Sequence, residues 1–292
     1  MTGGQRAGLP AAVLPRSGAL TDLLVAPAPG GRDAPGALVT TVRERIEAGL
    51  ARVTGHGRPV PGGAVRRGRV AVDPRSPRTC RVTAYALRTA ALAPERLVAP
   101  TPFRWTAQTA RRSIGLAAVR SCTGGAAGTP VATVAGAVAS LAADGRHGLG
   151  RPGSLTEWIG GLSGPARALV EAEAVTWATR LWTSVQWDRL GPAARVGEPD
   201  ARWSPMGTPG ISLQGRADVR AGGVSAPCVL LTTLAGRPGP TSRVELGLAA
   251  LVDLLSAAEC QPGEAAARLP RRVVGWWPEC GRALAVGVDR SL

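Results

Sequence analysis

The residues best suited to chemistry in this 292-residue chain are a few carboxylates set among many arginines. Asp218 closes the run GRAD, just after Gly215, and the apolar run APCVLLTTL (226–234) follows before breaking at GRPGP. A carboxylate offers oxygen donors of the kind that a hard divalent cation takes. One carboxylate compensates such an ion poorly. Glu173 and Glu245, on flanking helical stretches, are the two acids that could swing in to complete a set. Both also read as ordinary solvated helix charges, and Asp218 reads equally as a strand-end residue bonded to the Gly222–Gly223 turn.

Arginine supplies the second kind of chemistry. Between residues 54 and 82, Arg58, Arg66, Arg67, Arg69, Arg75, Arg78 and Arg81 face a single acid, Asp73. Guanidinium forks grip phosphate in two-point fashion, and Gly/Pro spacing keeps them exposed. A solvated loop in a chain biased towards arginine has the same composition. The bias is complete: the 35 basic residues are all arginine, no lysine occurs, and the net charge is +15. That excess points to a polyanionic partner, nucleic acid ahead of a membrane surface or an acidic protein.

Other chemistries are poorly supplied. The five cysteines form no CxxC pair, and His56 and His147 sit in the Gly-flanked runs GHG and RHG, so a structural zinc site is not expected. No phosphate-loop, nucleophile-elbow or HExxH pattern occurs. The apolar stretches near the amino terminus are broken by prolines, and LGLAALVDLL from residue 246 carries Asp253 and is too short to span a bilayer. The expectation is a cytoplasmic protein with reduced thiols and no membrane partner. Nothing in the sequence fixes the oligomeric state.

The elements that must position these residues fall into three stretches. Residues 1–38 are rich in Gly, Pro and Ala and read as a disordered tail. Residues 39–164 read as a helical lobe carrying the basic loop, with helices from Thr41, over 106–121 with Ala110, Ile114 and Ala118 inward, and from Pro130 with Val131, Val134, Val138 and Leu141 on one face. Ser154 and Glu157 make a capping box, and Pro165 opens a long helix with Val170, Ala174, Trp177, Leu181 and Val185 in a stripe. From 165 to 292 strands appear: 211–219, 226–234, 271–277 and a last one from Arg282, with a helix from Ser242 to Ala258 between the second and third. Alternation sends Trp276 and Trp277 to opposite faces, so one of them is expected near the surface. The fold class is α/β, a mixed β-sheet flanked by helices with an N-terminal helical lobe.

That order, with GRADV on one strand and LLTTLAGRP on the next, resembles the PD-(D/E)XK nuclease superfamily, above all its RecB-like branch, over residues 165–292. The resemblance implies a restriction-endonuclease-like core with Asp218 at the metal-binding aspartate. It sets the family's Glu-x-Lys on Thr232 and Leu234, its Gln and Tyr near Glu245 and Ala249, and its upstream His at Ala117–Ala118. Only the aspartate survives. Thr232 brings a neutral hydroxyl, Leu234 cannot orient or activate water, and Arg237 brings charge but no base, since its pKa stays above about 12. The resemblance therefore implies a nuclease fold without cleavage and without a cofactor, retained for nucleic-acid binding or for holding a protein partner in DNA processing. Two alternatives stand beside it: an active Mg²⁺-dependent nuclease rebuilt on Asp218 with Glu173 or Glu245, and a protein-interaction scaffold that binds no nucleic acid.

Overall fold

The computed structural model describes residues 19–25, 40, 43–45, 48, 80–92, 103–125, 128–191, 194–197, 201–204, 211–223, 226–234, 236–257 and 269–288. After a short helix α1 (Ala19–Val25) come strand β1 (Cys80–Thr83) and helix α2 (Ala84–Leu92). Helices α3 (Ala107–Thr123), α4 (Pro130–Arg146), α5 (Leu155–Gly160) and α6 (Gly164–Ser184) then follow without a strand between them. Their starts are set by side-chain caps. Thr106 and Thr109 form a reciprocal capping box at α3, Thr129 with Pro130 opens α4, and Ser163 caps α6. The buried stripes are largely the expected ones: Ala110, Ile114 and Ala118 on α3, and Val170, Ala174, Trp177 and Leu181 on α6. On α4, Val134 and Val138 are buried, but Val131 in the first turn is 51% exposed. Helices α3 and α6 approach so closely at Gly115 that a Cβ there would meet Trp177 Cε3 at 2.5 Å. Only glycine fits.

Beyond helix α7 (Trp187–Leu190), strands β2 (Arg195–Val196), β3 (Ala201–Trp203), β4 (Ile211–Gly215), β5 (Val219–Gly223), β6 (Ala226–Thr233), β7 (Pro270–Trp277) and β8 (Arg282–Gly287) build two sheets, with helix α8 (Ser242–Ala257) between β6 and β7. The larger sheet has the order β2-β5-β6-β7-β8, and the smaller β1-β4-β3. Strands β6 and β7 are parallel, as a crossover through α8 requires, while β5–β6 and β7–β8 are antiparallel. Both sheets are mixed, and the class is α/β.

The strand expected over 211–219 is two strands in different sheets, joined by a corner at Arg216–Asp218. The corner is pinned to β6: Asp218 N–H donates to the Leu231 carbonyl at 2.7 Å, and Thr232 Oγ1 donates to the Arg216 carbonyl at 2.8 Å. Gly215 lets it pass α8, where a Cβ would lie 3.0 Å from Val252 Cβ.

The large sheet is covered on both faces. Val219, Leu231, Val274 and Trp276 share a core with α1 and α3–α6, while Leu230, Val273 and Trp277 share another with α8. Burial on both faces explains why β6 reads as a nearly continuous apolar run. It also corrects the expectation for the tryptophan pair, since Trp276 and Trp277 are each only 2% exposed. Two boundaries change as well. Residues 19–25, inside the expected tail, form α1, with Leu20 and Leu24 buried and Thr21 Oγ1 accepting the Gln186 N–H at 2.7 Å. The line drawn at residue 165 does not separate two cores, because α6 shares one apolar cluster with α3, α4 and the sheet. Of the helix expected from Thr41, residues 43–45 are helical. No helix among the described residues is long and apolar enough to cross a membrane.

Candidate functional site

Because β6 and β7 run parallel, their carboxyl ends open at the same edge of the sheet, where ligands commonly sit in α/β folds. Here that edge meets the α3–α6 helix pair and the 216–218 corner, leaving a cleft of about 600 Å³. Its walls are the first turns of α3, the middle of α6, the end of β6 at Thr233–Leu234 and the β7–β8 turn at Pro278–Glu279.

Asp218 lies at the base of this region and is 1% exposed. Its Oδ1 is paired with Arg112 Nη2 of α3, and its Oδ2 accepts the Thr233 backbone N–H at 2.6 Å. It does not cap the Gly222–Gly223 turn; its backbone N–H and carbonyl bond instead to the Leu231 carbonyl and the Gly197 N–H, each at 2.7 Å. The carboxylate thus has a protein cation and a backbone donor in place of solvent. Beside it, Arg112 Nε and Thr233 Oγ1 are buried with no hydrogen-bond partner.

The other acids of the sequence reading are committed elsewhere. Glu173 on α6 lines the cleft but pairs with Arg111 Nη1 at 3.6 Å. Arg111 Nη2 also takes Glu279 Oε1 at 3.0 Å, and Glu279 Oε2 accepts the Gly236 N–H at 2.9 Å. One guanidinium therefore ties α3, α6 and the β7–β8 turn together. Glu245 lies on α8, which covers the opposite face of the large sheet, and is bonded to Arg88 of α2 at 2.6 Å. The structure does not bring it to Asp218. Thr232 spends its hydroxyl on the corner, whereas Leu234 lines the cleft and has its N–H on the Trp276 carbonyl at 2.8 Å.

Arg237 is exposed in the loop after β6. Of the basic loop, Arg81 lies on β1 opposite Ser212, and Arg58, Arg66, Arg67, Arg69, Arg75 and Arg78 lie outside the described residues.

Two further arginines line the cleft. Arg180 of α6 donates to the Pro278 carbonyl at 3.3 Å, and Arg216 stands on the corner. Neither has a carboxylate partner among the described residues. Arg216 keeps part of its side chain exposed, yet the cleft walls withdraw enough water to push its guanidinium down to about 10.

A second buried pair lies on the α8 side. Asp253, 4% exposed, accepts from Arg220 Nη2 at 2.5 Å, and Arg220 Nη1 reaches Cys228 Sγ at 3.2 Å. Burial alone would lower the Arg220 guanidinium. The Asp253 carboxylate more than reverses this and holds it above its ordinary value. This pair joins α8 to β5 and is structural.

Tested against the divalent cation that the resemblance implies, these residues do not fit. The one motif carboxylate is neutralised by Arg112, the Glu position carries a hydroxyl already donated to the backbone, and Glu173 is held by Arg111. A cation placed against Asp218 would have to displace a guanidinium from a buried site. Arg112, Arg111, Arg180, Arg216 and Glu279 were not singled out from the sequence. The available signal was the doublet Arg111–Arg112, which directly follows buried Ala110 and so falls on the flank of the α3 stripe. A scan against models of protein families finds no match to the chain, and a search among curated proteins finds none either.

Proposed function

We propose that the chain is a nucleic-acid-binding protein on a nuclease-like α/β core that does not cleave what it binds. The observation that carries this is the Asp218–Arg112 pair: where a phosphodiesterase would need a metal, a protein guanidinium meets the carboxylate. Three features support the kinship. The corner aspartate precedes an antiparallel β5–β6 pair, α8 then crosses over to a parallel β7, and helices cover both faces. The net charge of +15 supports a polyanionic ligand.

The test is incubation with single- and double-stranded DNA and Mg²⁺ or Mn²⁺, beside a binding series in salt. Intact DNA is expected throughout, with affinity falling steeply between about 50 and 200 mM salt as counterions are released. Metal-dependent cleavage that disappears in Asp218→Ala would overturn the reading in favour of an active nuclease. Absence of binding at low salt would overturn it in favour of a protein-interaction scaffold.

A further inference from the structure

We propose that the cleft between α3, α6 and the carboxyl ends of β6 and β7 is a phosphate seat for a single strand, with Arg180 and Arg216 as the gripping residues. The inference rests on the proposed function for the identity of the ligand, but its geometry is independent of any nuclease kinship.

Charge decides the ligand class. Four guanidinium groups line the cleft, from Arg111, Arg112, Arg180 and Arg216. Three carboxylates answer them: Asp218 on Arg112, and Glu173 and Glu279 on Arg111. Four against three leaves one positive charge uncompensated, the complement of one phosphodiester. Among the described residues Arg180 and Arg216 are the two cleft arginines with no acid, so the excess lies on them. Arg216 is exposed where it lines the cleft, so its guanidinium is open to an incoming anion.

Donor chemistry agrees. Thr233 lines the cleft wall, and its Oγ1 lies buried without a partner next to the amide that Asp218 accepts. Guanidinium forks match phosphate oxygens in two-point geometry.

Size decides the form. A volume of about 600 Å³ falls among sites for small organic molecules. A duplex does not enter such a cleft, whereas an unpaired strand presents its phosphates singly. The long floor residue Trp177 is 6% exposed and packed against Gly115, so the floor is core and not a stacking platform. The cleft therefore reads backbone charge and not base identity.

The experiment measures fluorescence anisotropy of a labelled single-stranded oligonucleotide and of its blunt duplex, with the full chain and with Arg180→Gln/Arg216→Gln. Thermal melts of both proteins establish that the variant is folded. The single strand is expected to bind at least about tenfold more tightly than the duplex, and the double variant to lose about tenfold of that affinity. The salt dependence of the variant should fall by about 0.7 in log–log slope, the value for one single-strand phosphate. A mononucleotide and inorganic phosphate serve as competitors. If single-strand binding persists unchanged in the double variant, the cleft is not the seat, although nucleic-acid binding itself stands. If the duplex binds as tightly as the strand, the single-strand assignment is overturned. If mononucleotide binds through Arg180 and Arg216 while no strand binds at all, the nucleic-acid function fails and the seat belongs to a free phosphate ligand.

Discussion

Replacing Arg112 with Met tests the buried pair directly. Asp218 is 1% exposed and the Arg112 side chain 12%, so neither charge has bulk water to fall back on. Removing one partner of such a pair leaves an uncompensated charge in a poorly solvated site, which costs about 3–5 kcal/mol. For a chain of this size each kcal/mol moves the melting midpoint by roughly 2–4 °C, giving a fall of roughly 6–20 °C. Asp218→Asn should be destabilising too, since it strands the guanidinium, though its amide oxygen can still accept the Thr233 N–H seen at 2.6 Å. The double variant Arg112→Met/Asp218→Asn removes both charges and should recover much of the loss, with a coupling of about 2–3 kcal/mol.

Urea denaturation reads these values cleanly where the slope is unchanged. A single-variant cost below about 1 kcal/mol, the scale of an exposed pair, would refute the reasoning and return Asp218 to the status of a free ligand. A Mg²⁺ series sharpens the outcome. A cation bound at a hundredfold excess over its Kd would stabilise the fold by about 2.7 kcal/mol. No such rise is expected here, and one that vanished in Asp218→Asn would overturn the proposed function.

Two further outcomes follow from Arg220 and Arg216. Asp253→Ala should cost about 3–5 kcal/mol in urea, because it leaves Arg220 without the acid that holds it 2.5 Å away between α8 and β5; a cost under about 1 kcal/mol would show that α8 is fastened by its apolar face alone. Arg216→Gln should leave the melting point at pH 7 unchanged or raised. The folded guanidinium is pushed down to about 10, below its unfolded value, so at neutral pH both states are protonated and the cost of withdrawing the charge from water is fully present. Stability should then rise with pH above about 10 in the wild type, where the unfolded chain still binds the proton that the folded chain has released, and this rise should be absent in the variant. A fall of several degrees at pH 7 in Arg216→Gln would reveal a structural partner for Arg216.

Much of the framework was legible because local signals and burial agreed. Pro130, Ser154 and Pro165 announce helix starts, and the 3.6-residue stripes of α3 and α6 match their buried faces. The strands β6, β7 and β8 fall within a residue or two of the apolar runs that predict them. What failed to read out was tertiary in origin. Alternation across 211–219 is uninterrupted, so nothing local reveals that Gly215 and Val219 belong to different sheets; the break is imposed by bonds to β6 and by contact with α8. Likewise α1 is a seven-residue helix in a Pro-rich setting, and its stability comes from burying Leu20 and Leu24 under the helical layer, not from propensity. In the site, Asp218 could be picked out because GRADV falls where the motif that the sequence resembles has its aspartate. Its partner could not, because Arg112 is one of 35 arginines and its significance is purely spatial.

In the proposed reading the cleft, more than the lineage that the motif suggests, carries the function. Its position depends on two facts of the fold: β6 and β7 are parallel, and β4 and β5 part company at the 216–218 corner. The first sets the strand ends at one edge; the second opens space beside them and places Arg216 there. Asp218 then acts less as a relic ligand than as an anchor. By fixing Arg112 at the base of α3, it holds the neighbouring Arg111 within reach of Glu173 and Glu279, so two of the four cleft cations and the three acids that answer them are positioned through one helix turn. Arg180 and Arg216 are left outside this web of acids, and they are the ones proposed to meet a ligand. It follows that charge-removing changes at Asp218 should disturb binding through the position of α3, whereas changes at Arg180 and Arg216 should disturb binding with the fold intact.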